Sequence, residues 1–561
     1  MKKALSVLLA IIMTFSLAMP AFAGVDINAS KSQIPIIRIS GDGESLYDAQ
    51  GNELVTGTGV FSALESEDGD NEELYSSIAH VLLPFLIDGL IYDQWDGYYD
   101  ALYEEISELF GNALLDKNGE PLDNSGISES RKKQLERDMN TDKYGSKGYY
   151  AVEDYRFYYD WRLDPTDIAD DFNDYINAIR IKTGHQKVGI VASCLGTSIV
   201  MAYLAEYGSD AVSGIGLDGS VCNGSEILSE TISGKFTVDG DSLTRVLEDC
   251  NYLGVFDMDE FLLATVDLLS KSGAIDGITT SVKMTIYDKV AKGVTSALAL
   301  STLCTWPGYW STVSAEDYDD AMLYVFGENG SEKRAEYAGL IEKIENYNVV
   351  RGKTDDLLVA AKNKGVNIGI VSKYGYQIIP ICESGSELAD ELVTVEKSSF
   401  GATTSKIYDT LPDIYLAQMT PEERKYVSPD KQVDASTCLF PDSTWFIKGA
   451  SHAHWTDEEI QILYDVVSAD RQLTVEDTEI SQFMVYTYED DTARKMTTEN
   501  CDTYVWSESS SAKPTNNPVQ KLVAFLKALF NWFKLLFTKV ELPEMPQLPT
   551  LPQPTTAAAQ Q

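Results

Sequence analysis

The stretch His185–Ala205, HQKVGIVASCLGTSIVMAYLA, changes its periodicity half-way. Val188 to Ala192 is a short run of small and β-branched apolar residues, the composition of a buried strand. Thr197 to Tyr207 follows a helical spacing, with Ile199, Met201, Ala202 and Leu204 on its inner face. Ser193-Cys194-Leu195-Gly196 joins the two. A strand that turns sharply into a helix lifts one side chain clear of the backbone, which is the geometry of the nucleophile elbow written G-x-S-x-G. Here Ala192 and Gly196 are the small flanking residues, and Cys194 stands at the apex. A helix N-terminus favours a thiolate, and the backbone N–H of Leu195 is placed to meet an oxyanion. The same segment also reads as a buried structural cysteine at an ordinary strand–helix junction, and by itself it does not choose.

Working outward, strand and helix patterns alternate. Ile34 to Ile39 reads as an early strand, followed by the glycine-rich turn Ser40-Gly41-Asp42-Gly43-Glu44-Ser45. Such a turn presents backbone N–H groups to a ligand oxygen, or is simply a turn. Glu72 to Phe110 is helical in pattern and Asp116 to Lys147 is a polar, turn-rich loop. Tyr149 to Tyr159 is a tyrosine-rich strand candidate, and Asp167 to Thr183 an amphipathic helix with Ile168, Phe172, Tyr175, Ile176 and Ile179 on one face. Val212 to Leu217, Val366 to Val371 and Thr444 to Gly449 read as further strands, and Asp457 to Val467 as a closing helix. This alternation predicts a mostly parallel sheet with helices on both faces.

The N-terminus combines Met1-Lys2-Lys3, an apolar run from Ala4 to Met19 and Ala21-Phe22-Ala23, the pattern of a secretory signal peptide. The expectation is a secreted, extracellular protein. The chain divides into the leader (1–23), two parts of one core (24–225 and 366–500), a helical cap between them (226–365), a linker (501–518), an apolar amphipathic helix (519–539) and a proline-rich end (540–561). A cap excludes water and shapes apolar pockets; a second helical domain away from the site is the alternative.

Forty-four basic against 87 acidic residues leave a net charge of −43. A surface this acidic repels nucleic acid. Seven cysteines lie at 194, 222, 250, 304, 382, 438 and 501, with no C-x-x-C pair, so no zinc site or other cofactor is indicated. Histidines number four: His80, His185, His452 and His454.

Cys194, Asp430 and His452 then form a nucleophile–acid–histidine order, with the histidine directly after the last strand. With these motifs in view, the chain resembles the lecithin:cholesterol acyltransferase-like lipases and acyltransferases of the α/β-hydrolase superfamily, from about Ile34 to about Val467. Phe157-Tyr158-Tyr159-Asp160-Trp161-Arg162-Leu163-Asp164-Pro165 is similar to the family's Y-D-W-R segment. Ser40 to Ser45 resembles its P-G-x-G-G-S oxyanion turn with the proline and one glycine lost. Ala192-Ser193-Cys194-Leu195-Gly196 resembles its G-H-S-x-G, and Asp430-Lys431-Gln432-Val433 its D-G-x-V. Trp306-Pro307 is similar to a P-S segment of the family's cap.

The resemblance implies an α/β-hydrolase fold with a large helical cap. It implies a Cys194–His452–Asp430 triad, an oxyanion hole from the backbone N–H groups of Asp42 and Leu195, and Trp161 as a substrate-binding residue. The activity implied is that of a lipase, esterase or acyltransferase on acyl-ester or lipid substrates. Cysteine replaces the family's serine, so the acyl-enzyme becomes a thioester; a histidine accepts a thiol proton readily. His454 is the rival base. A catalytically silent binding protein on the same frame, held at the cell surface, is the alternative function, and a transferase or thioesterase is another.

Val519 to Thr538 supports the surface idea. Beyond Gln520 and Lys521 it is apolar apart from a narrow stripe of Lys527, Asn531, Lys534 and Thr538, and no acidic residue falls between Ser509 and Val540. Aromatics opposite lysines describe a helix lying on a membrane or envelope surface, or one docked on its own domain or on a second copy.

Overall fold

The strands form where the sequence is continuously apolar. In the computed structural model the described residues are 34–41, 45–52, 92–110, 113–139, 155–235, 303–376, 383–407, 409–487 and 491–501, with positions 54, 80, 84 and 88. The leader, Asp42, the middle of the helical insertion (236–302) and the apolar tail helix with its linker and proline-rich end lie outside them.

Among the described residues the first strands are β1 (Ile36–Ile39), β2 (Leu46–Tyr47), β3 (Gly126–Ile127), β4 (Tyr155–Arg156), β5 (Val188–Ser193) and β6 (Val212–Asp218). They are followed by β7 (Asn367–Tyr374), β8 (Thr403–Thr404), β9 (Val433–Asp434), β10 (Thr444–Lys448), β11 (Phe483–Thr487) and β12 (Thr492–Lys495). The helices of eight residues or more are α1 (Asp96–Phe110), α2 (Glu129–Met139), α3 (Pro165–Thr183), α4 (Leu195–Tyr207), α5 (Glu226–Ser233), α6 (Tyr318–Phe326), α7 (Ala338–Arg351), α8 (Thr354–Asn363) and α9 (Asp457–Ser468).

One eight-stranded sheet carries the order β12-β11-β10-β7-β6-β5-β1-β4. Every pairing in it is parallel except β11 with β12. Every residue of β5, β6 and β7 is buried, as expected of central strands covered on both faces. Helices α5 to α8 all fall between β6 and β7, where the sequence pattern interrupts its alternation.

A row of glycines explains how closely one face is covered. Gly189 of β5 stands opposite Gly214 of β6, and Gly216 of β6 opposite Gly369 of β7. A Cβ on Gly214 would lie 2.5 Å from the Cα of Val467, and one on Gly216 would lie 3.2 Å from Leu463. Helix α9 therefore lies flush on the sheet, burying Ile462, Leu463, Val466 and Val467 against Val191 and Val371. Helices α3 and α4 bury Phe172, Ile176, Ile199 and Met201 in the other main core, with Ile37, Ile39 and Ile190. Helix α3 starts where Asp164 Oδ1 accepts the Thr166 N–H at 2.9 Å and Pro165 occupies the first turn, and it ends at Gly184 with φ +72°.

Two elements depart from the sequence reading. Of the tyrosine-rich candidate 149–159, residues 149–154 lie outside the described ones; within 155–159 the strand is Tyr155–Arg156, and Arg162 folds back on Asp160 beyond it. The antiparallel β11–β12 edge lies beyond the closing helix, where the sequence reading placed nothing.

Gly214→Ala is expected to destabilise the protein by about 1–3 kcal/mol, the usual cost of overpacking. A lower urea midpoint with an unchanged m-value is the measurement that checks it.

Candidate active site

Cys194 ends the strand run and begins the helix with φ +48° and ψ −129°. A non-glycine residue stays in such a region only where its surroundings hold it. Its N–H donates to the Asp218 carbonyl at 3.2 Å, and its carbonyl accepts from the Thr197 hydroxyl at 2.6 Å. Two glycines make room. A Cβ on Gly196 would lie 2.7 Å from the Ile39 carbonyl oxygen, and one on Gly41 would lie 2.4 Å from Cys194 Cβ and 3.2 Å from the Leu195 nitrogen. The turn after β1 thus closes over the elbow, beside the first N–H of α4, which the helix itself leaves unbonded. Tyr159 fastens that turn: its hydroxyl donates to the Ser40 carbonyl at 2.6 Å and to the Gly41 carbonyl at 3.1 Å.

The loop after β10 brings His452 to Cys194, close enough for the two side chains to interact electrostatically. The partner on the other ring nitrogen is Asp390: its Oδ2 lies 2.7 Å from His452 Nδ1, leaving Nε2 for the thiol. The His452 N–H also donates to the Asp390 carbonyl at 2.9 Å. Gly219 lies against the ring, where a Cβ would stand 2.9 Å from Cε1. Burial works to lower the pKa of His452, but the charges of Asp390 and Cys194 outweigh it and hold the imidazole well above its usual value. Beside them Glu391 is wholly buried with φ +88°, and both its carboxyl oxygens lack a hydrogen-bond partner. Burial, with the neighbouring Asp390 charge, pushes that carboxyl well above the carboxylate range.

The acid assigned from sequence requires correction. Asp430 is joined to Lys448 Nζ at 3.0 Å, to the Tyr374 hydroxyl at 3.1 Å and to the Ser428 hydroxyl. The reason is a near-duplicate motif. Asp390-Glu391-Leu392-Val393 repeats the D-x-x-V spacing of Asp430-Lys431-Gln432-Val433. Both turns carry a positive φ at their second residue, +88° at Glu391 and +58° at Lys431. In each, the aspartate Oδ1 accepts N–H groups two or three residues on. The spacing was therefore visible twice, and only the fold distinguishes the copies.

Trp161 is 1% exposed, its indole packed edge-on against Trp306 at 4.9 Å and Tyr309 at 5.6 Å. It is a core residue that locks the Y-D-W-R turn to the Trp306–Trp310 segment, rather than one open to a ligand. Arg162 beside it is wholly buried, with Nε 3.0 Å from Asp160 Oδ1 and a terminal nitrogen 2.6 Å from Oδ2. Leu195 lies where the sequence reading has it, at the first turn of α4; Asp42 is outside the described residues. His454 turns away to Asp491 at 3.3 Å and to the Tyr486 ring. His80 pairs with Glu104 on the surface.

Among the described residues Cys194, Cys222, Cys304, Cys438 and Cys501 are free thiols, and all but Cys194 are buried. Burial pushes the Cys222 and Cys438 thiols up to about 12 and Cys304 further still. Also among the described residues, no group of three or more His, Cys, Asp or Glu is arranged to hold a metal ion, and no helix is long and apolar enough to cross a membrane.

Residues 122–374 match the family model described as alpha/beta hydrolase fold. The chain has the α/β-hydrolase fold. A chain from the crystal structure of a Tle4–Tli4 complex aligns over 77% of this chain and 98% of its own length, at 12% identity and a TM-score of 0.28. No curated protein matches the sequence. On this α/β-hydrolase frame, Cys194, Asp390 and His452 meet in the chain order cysteine, aspartate, histidine.

His454 yields a pH prediction. Burial and the Lys373 ammonium hold it down to about 4 from an ordinary 6.5. The unfolded chain therefore binds the extra proton first, and stability falls as pH drops from 6.5 towards 4. His454→Gln is expected to flatten that part of a melting-temperature-against-pH curve, checked by calorimetry.

Proposed function

We propose that this protein is a cysteine hydrolase or acyltransferase of acyl esters. The observation that carries the reading is a partly exposed thiol at a strained elbow, beside a histidine that Asp390 holds by its Nδ1. In this mechanism His452 takes the Cys194 proton, and the raised affinity of its imidazole for that proton favours a thiolate–imidazolium pair. The thiolate attacks the ester carbonyl carbon, and the developing oxyanion is met by the Leu195 N–H, with the Asp42 N–H as the second donor that the family resemblance implies. Collapse expels the alcohol, which takes the His452 proton, and leaves a thioester on Cys194. Water or a second alcohol, deprotonated by His452, releases the acyl group and restores the thiol.

Lipid esters as substrates, export from the cell and attachment through Val519–Thr538 belong to the same proposal. They draw on the family resemblance, the basic and apolar N-terminus and the acid-free apolar tail.

Hydrolysis of p-nitrophenyl esters of short and medium acyl chains tests the reading. Cys194→Ala is expected to abolish turnover, and Asp390→Asn to lower kcat/KM by about 100-fold or more, as for loss of general-base organisation. Asp430→Asn is expected to leave kcat near wild type but cost about 3 kcal/mol of stability, since Lys448 is left buried without its charge partner. A wild type that turns over no ester, with Cys194 inert to iodoacetamide in the folded protein, would sink the enzyme reading in favour of a binding protein on this frame.

A further inference from the structure

A second buried charge cluster lies beneath the histidine loop, and the mechanism above does not use it. Lys373, next to last in β7, is 0% exposed. Its Nζ lies 3.1 Å from both carboxylate oxygens of Asp218 and 3.1 Å from Glu459 Oε1. It also donates to the His454 carbonyl at 2.6 Å and to the His452 carbonyl at 3.4 Å, and stands 5.0 Å from the centre of the Trp455 ring. Its partners come from three elements. Asp218 closes β6 beside Ser193 and offers its backbone carbonyl to the Cys194 N–H. Glu459 sits in the first turn of α9, where its side chain completes a capping box with Thr456. The carbonyls belong to the loop that carries His452.

Stability alone does not call for such a cluster. Replacing a buried ion pair by hydrocarbon of similar volume is often neutral or favourable. What an ammonium supplies, and a methyl cannot, is N–H donors to the two loop carbonyls. We propose that Lys373 is a positioning residue for His452, fixing the loop so that the imidazole stands between Asp390 and Cys194. Lys373 touches no reacting atom; it acts through the carbonyls of the loop backbone. The groups that face the imidazole itself are Cys194, Asp390 and the buried Glu391, with Gly219 against the ring. The contacts of Lys373 with the loop hold whatever the chemistry, whereas their consequence for reactivity rests on the cysteine–histidine reading above.

The test uses the full chain and the double variant Lys373→Met/Asp218→Asn, which removes the charges of Lys373 and Asp218 and keeps the Asp218 backbone carbonyl. Circular dichroism establishes that it folds. The first readout is nitrogen-15 histidine NMR, practical with four histidines in the chain. The wild type is expected to show a low-field His452 Nδ1 proton from the bond to Asp390, and the variant to lose it. The second readout is the pH profile of Cys194 alkylation by iodoacetamide. In the variant alkylation near pH 6 is expected to be about tenfold slower than in the wild type, since the imidazole no longer stands beside the thiol.

A folded variant with wild-type histidine resonances and a wild-type alkylation profile would overturn the proposal. If the double variant does not fold, Asp218→Asn decides: it keeps the ammonium but removes its charged anchor, so a smaller shift in the same direction is expected, and no shift overturns the proposal. A wild-type Cys194 that alkylates as an ordinary thiol removes the ester chemistry, and the His452 resonances still decide the role of Lys373.

Discussion

The site hangs on one backbone conformation, the left-handed turn at Cys194. A side chain held at φ +48° and ψ −129° costs of the order of 1–3 kcal/mol, and it persists only when its neighbours leave no alternative. The neighbours here are specific. The Asp218 carbonyl holds the Cys194 N–H, the Thr197 hydroxyl holds its carbonyl, and Gly196 lets α4 come within contact of the β1 backbone. The turn at Gly41 then has just enough space to pass over the sulfur, where any larger residue would strike it. The strain aims the thiol away from the sheet, and the close packing that maintains it also brings the first N–H of α4 beside it.

Around that turn the C-terminal edge of the sheet carries two buried lysine–aspartate pairs with different tasks. Lys448 and Asp430, each 3% exposed at the side chain, tie β10 to the turn before β9, to Tyr374 and to the carbonyl of Cys501. Lys373 and Asp218 tie β7 to β6 and to the histidine loop. Charges taken out of water need partners on every side. Each pair therefore fixes several backbone segments at once, which is a geometric service that an apolar core, being non-directional, does not perform.

Much of the frame was legible because a parallel sheet writes itself into the sequence as apolar runs separated by amphipathic helices. Val188–Ala192, Val212–Leu217 and Thr444–Gly449 all carry that mark, and the amphipathic face from Ile168 to Ile179 marks α3. The edge was less legible. β4 pairs over only two residues, and β12 alternates small, basic and exposed residues, so neither carries a buried run. Trp161 read as a ligand-facing aromatic because a tryptophan in a motif carries no sign of which way it faces; its partners, Trp306 and Tyr309, lie far along the chain.

Local order decided the elbow: a strand run, a small–x–Cys–x–Gly turn and a helix run need no distant residue to be read, and they place Cys194 at the apex. Histidine scarcity and the last strand pointed to His452 in the same way. The acid was a different matter. Asp390 and Asp430 open turns of the same spacing with the same left-handed second residue, and each satisfies its own N–H groups. Nothing within either tetrapeptide distinguishes them. The choice lies in what the tertiary structure brings opposite: Lys448, from β10, takes Asp430, while the loop beyond β10 delivers His452 to Asp390. A hydrogen bond across 62 positions of chain is a property of the packed sheet, and the sequence holds it only through the whole fold.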